Sequence, residues 1–168
     1  MKTLKSKIKE DMYPWKIQID TPDKVPGYKK VIDFNENLIP EGAVGFVYMM
    51  NYLDSKRGIM YSYIGKKNFY SKRKKKFGKK ALAAITDKRT KKYETVIKLD
   101  YEKYFSSNKE LKQAYKDGKM IYRTILKICF SKASLTYEET KAQFQHEVLE
   151  KDNYLNGNIL GRFYKGKI

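Results

Sequence analysis

Runs of apolar residues near the middle of the chain predict a β-hairpin. The segment 44–51, VGFVYMMN, is apolar enough for a central strand, and 59–65, IMYSYIG, has the pattern of a strand that returns beside it. The intervening segment 54–58, DSKRG, has residue types that are common in tight turns. Two strands joined by so short a connection pair antiparallel.

Weaker periodic patterns predict further elements on either side of the hairpin. We expect a half-buried strand around Trp15, Ile17 and Ile19, a basic helix from Ser71 to about Ala84, a short strand at Val96–Leu99, a helix over Asn108–Asp117, a strand over Ile121–Phe130 and a helix over Leu135–Glu150. The bounds of the helix over Asn108–Asp117 are the clearest, because residues 107–110 resemble a capping box and Gly118 suits its C-terminus.

These elements predict an α+β fold with a small antiparallel sheet of about three strands, flanked by helices. Residues 1–43 contain four prolines, which break the segment into turns. We interpret residues 1–43 as an N-terminal extension packed on or next to the core, and 44–168 as the principal domain. A chain of 168 residues is long enough for one such domain.

The charge balance indicates a polyanionic partner. The chain has 37 Lys and Arg residues against 19 acidic ones, a net charge of +18, and lysines that neutralise phosphates release condensed counterions. Only five of the 37 are arginines, so solubility alone is the competing interpretation. The densest basic run is 72–80, KRKKKFGKK.

Several classes of protein are excluded by composition. The single cysteine, Cys129, rules out an internal disulfide, and we expect it to be an inert core thiol. One histidine is too few for a histidine-based zinc centre. Apolar runs fall short of a membrane span, and the start of the chain lacks a secretory signal core. We therefore expect a cytoplasmic protein with no membrane partner.

Two tripeptides on the predicted hairpin carry a family resemblance. Phe46-Val47-Tyr48 lies on the first strand and Tyr63-Ile64-Gly65 on the second, and Arg73 follows Tyr63 by ten residues. The ordered set resembles the GIY-YIG nuclease family, over about residues 44–160. The second tripeptide matches that name letter for letter, whereas the first has Phe-Val in place of Gly-Ile.

The resemblance implies a role for each candidate catalytic residue. Tyr48 would act as the general base and Tyr63 would orient the attacking water. Arg73 would bind the scissile phosphate, on the first helix. Glu139 would hold the metal ion, and Asn156 would fix the end of the chain beside the site. We expect Gly65 to end its strand where the backbone turns into that helix.

Several of these assignments have open alternatives. Glu138 competes with Glu139 as the metal ligand, and a capping box between Thr136 and Glu139 would occupy the latter structurally. Asn153 and Asn158 are alternatives to Asn156, and Tyr63 is an alternative to Tyr48 as the base. A phenol needs nearby positive charge to act as a base near neutral pH, and Lys66 and Lys67 are candidates for that role.

The function implied is that of a DNA endonuclease, phage-encoded or mobile-element-encoded, which uses a single Mg²⁺ (or Mn²⁺) ion. The sequence has no paired acidic motif, which a two-metal site would need. We expect the nucleic acid to be contacted by the lysines that follow the second tripeptide: Lys66, Lys67, Lys72, Lys74, Lys75 and Lys76. Double-strand cleavage would need a homodimer or two visits.

Two other functions fit the same sequence. One is a catalytically degenerate nucleic-acid-binding protein on the same scaffold, and the other is a basic interaction or inhibitor protein. The sequence does not decide between DNA and RNA, or between specific and nonspecific substrates.

Overall fold

The computed structural model describes residues 13–20, 29–87, 90 and 93–159. Seven strands and three helices follow one another in these residues: β1 (Trp15–Asp20), β2 (Lys29–Asp33), β3 (Gly45–Asp54), β4 (Ile59–Asn68), β5 (Tyr70–Lys76), α1 (Lys79–Ala83), β6 (Tyr93–Leu99), α2 (Lys109–Lys116), β7 (Tyr122–Cys129) and α3 (Lys132–Gln145). A single 3₁₀ turn, Glu36–Leu38, follows β2. The predicted α+β class is confirmed.

The main sheet has five strands in the order β2-β1-β7-β3-β4, so the prediction of about three strands is wrong. β1 pairs with β7 in parallel, and the other pairs are antiparallel, which makes the sheet mixed. The two extra strands come from the segment interpreted as an extension. The strand predicted around Trp15 is confirmed as β1. Trp15 is only 2% exposed because it packs against Phe46 and Tyr48.

The sheet has an apolar core on each face. Alternation along β3 sends Phe46 and Tyr48 to one face, where they pack among other aromatic side chains, and Val47 to the other. On the second face, Val47 and Ile64 contact Leu135 of α3. Residues on both faces of the central strands are therefore buried, which explains why the hairpin sequence is a nearly continuous apolar run.

The predicted basic helix from Ser71 to Ala84 is wrong. Residues 70–76 form β5, which pairs antiparallel with β6 in a separate two-stranded sheet, and only Lys79–Ala83 is helical. In a helix, Lys72 and Lys76 would lie side by side as like charges, which destabilises the helix. In a strand, successive basic side chains point to opposite faces, which separates neighbouring charges.

The two longer helices differ in how well their bounds were predicted. α2 has the predicted bounds, but its N-cap is Asn108, whose Oδ1 accepts hydrogen bonds from the amides of Glu110 and Leu111. The capping box predicted over residues 107–110, with Ser107 as the N-cap, is therefore wrong. α3 begins three residues before the predicted Leu135 and ends five before the predicted Glu150. Its capping box joins Ser131 to Ser134, so the box predicted for Thr136 and Glu139 is wrong.

Parts of the predictions fall outside the described residues, namely 1–12 and 160–168. The division of the chain at residue 43 stays a prediction. No helix among the described residues is both long and apolar enough to span a bilayer.

Candidate active site

The two motif tyrosines are neighbours on one face of the sheet. Tyr48 on β3 pairs with Gly65 on β4, and Tyr63 pairs with Met50, so the tyrosines are diagonal across the hairpin. Their ring centroids are 6.3 Å apart. β3 and β4 continue past the tyrosines to Asp54 and Ile59 at the hairpin tip, and the two rings stay side by side.

Both tyrosines have a raised pKa. Burial raises the pKa of Tyr48 above its ordinary value of 10.0, and Tyr104 raises it further. Burial also raises the pKa of Tyr63, where interaction with the Ser107 hydroxyl acts in the opposite direction and the negative charge of Glu139 adds to the rise. Burial therefore has the largest effect on the pKa of both phenols and raises it. This is contrary to the expectation that the positive charge of a neighbouring lysine lowers their pKa.

The two tyrosines differ in access to solvent. Tyr48 is 1% exposed, and its hydroxyl lies 3.2 Å from the hydroxyl of Tyr104. Tyr63 is half-buried. Of the two tyrosines, Tyr63 is therefore the one with more access to solvent.

Gly65 makes room for the Tyr48 ring. A Cβ atom at Gly65 would lie 2.7 Å from the Tyr48 hydroxyl oxygen and 3.0 Å from Cε1 of Tyr63, closer than van der Waals contact allows. β4 continues past Gly65 to Asn68, so the prediction that Gly65 ends the strand is wrong. The glycine is needed because an aromatic ring on the partner strand lies across it.

The structure separates the two candidate carboxylates. The Glu139 carboxylate lies 2.9 Å from Nζ of Lys66 on β4, and its side chain is 16% exposed. Glu138 instead pairs with Lys127 of β7, at 3.3 Å. The Glu139 side chain thus points towards β4, and its negative charge raises the pKa of Tyr63. The Glu138 side chain points instead towards β7.

The C-terminal segment covers part of the outer edge of β4. Asn156 is buried, its Oδ1 accepts a hydrogen bond from the amide of Ile64 at 3.0 Å, and its Nδ2 donates to the Ile64 carbonyl at 2.8 Å. The Gln143 side chain donates to the same carbonyl at 3.4 Å. Among the described residues these contacts to the β4 backbone end at Ile64, next to Tyr63 and Gly65.

The alternative asparagines lie elsewhere. Asn153 donates from its side chain to the carbonyl of Met60, closer to the hairpin tip, and Asn158 is exposed. Asn156 is therefore the asparagine that contacts the motif strand at Ile64.

Three of the six lysines predicted to contact nucleic acid have acidic partners among the described residues: the partly buried Lys66 and Lys67, and the exposed Lys75, which lies 3.4 Å from Glu94. Lys66 pairs with Glu139 and also donates to the Thr136 hydroxyl, at 2.9 Å. Lys67 lies 2.6 Å from Asp100, with its ammonium group above the Tyr104 ring. These contacts leave Lys72, Lys74, Lys75 and Lys76 as the exposed members of the set.

Arg73 lies on β5, not on a helix, and its side chain is exposed. Among the described residues, no hydrogen bond or ion pair joins it to Tyr48, Tyr63 or Glu139. The structure therefore brings Tyr48, Tyr63, Glu139 and Asn156 to the middle of β4, around residues 63–66, and leaves Arg73 on a separate exposed sheet.

Sequence reasoning missed the residues that hold Tyr48 from the loop before α2. Tyr104 contacts the Tyr48 hydroxyl, and the buried Ser106 accepts a hydrogen bond from the amide of Asn108. The Asn108 side chain donates to the carbonyl of Leu155, which ties this loop to the segment that carries Asn156. The signal that could have found them is the segment 101–111, YEKYFSSNKEL, which resembles the lead into the second helix of phage-encoded members of the GIY-YIG nuclease family.

A buried arginine also escaped the sequence analysis. Arg123 on β7 donates from Nε to the Tyr13 carbonyl at 2.8 Å, and from Nη1 to the carbonyls of Glu102 and Tyr104 at 3.0 and 3.2 Å. Its guanidinium group lies 4.6 Å from the Trp15 ring centroid. Burial lowers the pKa of Arg123 to about 10. The residue fixes the loop that carries Tyr104, and its place within an alternating strand gave no indication of that role.

The site offers few ligands for a metal ion. No three His, Cys, Asp or Glu side chains cluster within the described part of the chain. Glu139 is the carboxylate whose charge acts on Tyr63, and it also pairs with Lys66 of β4. A cation at Glu139 would take its other ligands from water and substrate, a donor set of oxygen atoms that suits Mg²⁺ or Mn²⁺.

A family model described as "Putative endonuclease segE, GIY-YIG domain" matches residues 29–159, which is most of the chain. The chain therefore belongs to the GIY-YIG nuclease family. No curated protein and no solved structure matches the chain. The match begins at Lys29, the first residue of β2.

Proposed function

We propose that this protein is a metal-dependent endonuclease that hydrolyses phosphodiester bonds in DNA. The observation that carries the proposal is that Tyr63 and Glu139 lie on opposite faces of the same part of β4, where the charge of Glu139 acts on Tyr63 and its carboxylate pairs with Lys66. One group can bind water and the other can bind a cation, and phosphodiester hydrolysis needs both.

Glu139 is the proposed protein ligand of a Mg²⁺ or Mn²⁺ ion. Such an ion, when bound, neutralises charge on the phosphate and favours deprotonation of a coordinated water. The Lys66 ammonium group already pairs with the carboxylate, which holds Glu139 towards β4. Neutralisation of that carboxylate would therefore remove the anionic ligand from this part of β4.

Tyr63 is the proposed water-orienting residue, and Tyr48 the proposed support for it. The raised pKa of Tyr48 and its burial under Tyr104 argue against its action as a base near neutral pH, the role that the sequence analysis preferred. A protonated phenol at Tyr63 can still donate and accept hydrogen bonds to position a water. Tyr48 packs against Tyr63 and fixes its position.

Arg73 and Asn156 complete the proposal. Arg73 would bind a phosphate of the substrate through its planar set of donors, from β5 rather than from a helix. Asn156 acts on β4, because both of its side-chain hydrogen bonds go to Ile64. We infer that it holds the Tyr63-Ile64-Gly65 strand in place rather than touching substrate.

The test is plasmid cleavage with and without Mg²⁺, with Glu139→Gln and the matched control Glu138→Gln. We expect metal-dependent nicking that falls by at least about 10²-fold in Glu139→Gln, since loss of a metal ligand removes several kcal/mol of transition-state stabilisation. Glu138→Gln should change the rate by less than about 3-fold, because its carboxylate pairs with Lys127 on the other side of α3.

Two outcomes would contradict the proposal. Retardation of DNA without nicking at any metal concentration would favour the degenerate binding protein. Loss of activity in Glu138→Gln but not in Glu139→Gln would show that Glu138, not Glu139, is the metal ligand.

Three further points stay predictions: a phage or mobile-element origin, a cytoplasmic location, and a homodimer for double-strand cleavage.

A further inference from the structure

β5 and β6 form a two-stranded sheet, the β5–β6 ribbon, that is separate from the main sheet. It consists of Tyr70–Lys76 paired antiparallel with Tyr93–Leu99, and none of these fourteen residues is buried. A two-stranded ribbon without cover is only marginally stable in water. The exposure of both faces indicates a surface that contacts a partner.

The β5 strand is a continuous row of positive charge. Residues 72–76, KRKKK, are all exposed, and only Lys75 has an acidic partner, Glu94 at 3.4 Å, among the described residues. Lys74 lies over the Tyr93 ring. Because residues alternate between the faces of a strand, each face of the ribbon carries cations, spaced about 6.6 Å apart along β5.

The β6 strand is different, because it exposes apolar side chains beside those cations. Ile97 is 59% exposed and lies opposite Lys72, and Val96 is 40% exposed and lies opposite Arg73. An anionic partner that meets the cations must therefore also offer apolar surface to the same ribbon. The grooves of a double helix have this combination, with phosphates at the rim and bases at the floor.

We propose that the β5–β6 ribbon enters the major groove of B-form duplex DNA, with the β5 cations on the phosphates and the β6 side chains towards the base edges. This inference rests on the proposed nuclease function and specifies its substrate as double-helical DNA. The ribbon backbones are about 4.8 Å apart, and the major groove, about 12 Å wide, admits a two-stranded β-ribbon with its side chains. The major groove of A-form RNA is too narrow, so duplex RNA is disfavoured.

The first test is the salt dependence of DNA binding, measured in EDTA so that metal-dependent hydrolysis does not contribute. The variant Lys72→Gln/Lys74→Gln/Lys76→Gln neutralises one face of the ribbon. The control Lys29→Gln/Lys30→Gln/Lys56→Gln removes the same charge from β2 and the hairpin tip, at exposed positions. The slope of log Kd against log salt concentration should fall by about 2.7 in the ribbon variant and by less than about 0.5 in the control, since each phosphate contact contributes about 0.9.

The second test concerns the groove. We expect the wild-type protein to bind a 30-base-pair DNA duplex at least about tenfold more tightly than the RNA duplex of the same sequence, and the ribbon variant to lose that preference. Methylation of guanine N7, in the major groove, should weaken binding, whereas distamycin, in the minor groove, should not compete. Circular dichroism and thermal unfolding check that the variants are folded.

Three results would overturn the proposal: an unchanged salt slope in the ribbon variant, equal affinity for the two duplexes, or competition by distamycin without an effect of N7 methylation. A ribbon variant that aggregates but binds DNA normally would show that the lysines only protect strand edges. The outcomes are separable from those of the proposed function. Ribbon-dependent binding without cleavage refutes the nuclease alone, and cleavage with ribbon-independent binding refutes the ribbon alone.

Discussion

Replacement of Gly65 by alanine tests the packing at the centre of the candidate site. The new Cβ would lie 2.7 Å from the Tyr48 hydroxyl oxygen and 2.8 Å from Cζ of the same ring. Ordinary van der Waals contact between such atoms is about 3.5 Å or more, so the ring must move by several tenths of an ångström. It is not free to do so, because it also contacts Trp15, Phe46 and Tyr104.

The expected cost follows from that confinement. Forced overpacking of a core costs about 1–3 kcal/mol, which for a domain of this size lowers the Tm by about 2–12 °C. Movement of the Tyr48 ring also displaces Tyr63, whose Cε1 lies 3.0 Å from the new Cβ. We therefore expect cleavage to fall by more than the loss of folded protein explains, by about tenfold or more.

The assay combines thermal unfolding with single-turnover plasmid nicking. Gly157→Ala is the matched control, because nothing lies within 4 Å of a Cβ at that position. The double variant Tyr48→Phe/Gly65→Ala removes the nearest clashing atom, so its Tm should exceed the value expected from additive single effects. A Tm for Gly65→Ala within about 1 °C of the Gly157→Ala control would refute the placement of the Tyr48 ring across Gly65.

The remaining predictions concern three buried side chains. Arg123→Leu removes the donor to the part-buried carbonyls of Tyr13, Glu102 and Tyr104, so urea unfolding should show a loss of at least about 3 kcal/mol in the free energy of unfolding, whereas the exposed Arg57→Leu should lose less than about 0.5 kcal/mol. For Asn156→Asp we expect a fall of at least about tenfold in single-turnover nicking, because the donor to the Ile64 carbonyl is lost; an equal fall in the exposed Asn158→Asp would contradict this. Among the described residues the buried Tyr101 hydroxyl has no hydrogen-bond partner, so Tyr101→Phe should unfold at the same or a higher urea concentration. Burial raises the pKa of Tyr101 from 10.0 to about 12, so the folded state keeps a proton that the unfolded state releases; the free energy of unfolding should therefore fall between pH 10 and 12, and less steeply in Tyr101→Phe.

Local sequence was sufficient for the elements whose stability depends on near neighbours. The hairpin over β3 and β4 was predicted because its apolar runs and turn residues lie close together in the chain. α2 was predicted because Asn108 and Gly118 end it through hydrogen bonds within a few residues. The order of Tyr48, Tyr63 and a late glutamate carried the family resemblance, and the match over residues 29–159 confirmed it.

Contacts between distant segments decided the rest. The number of strands depends on the pairing of β1 with β7, more than a hundred residues later, and no local pattern records that pairing. The preference for Glu139 over Glu138 depends on which side of α3 faces β4, and adjacent helical residues with the same side chain look alike in sequence. The raised pKa of Tyr48 depends on burial by Trp15 and Tyr104, which only the folded chain brings around it. Pattern along the chain thus determined the elements and the kinds of chemistry available, whereas tertiary packing determined solvent access and charge environment, because both arise from residues that are remote in sequence.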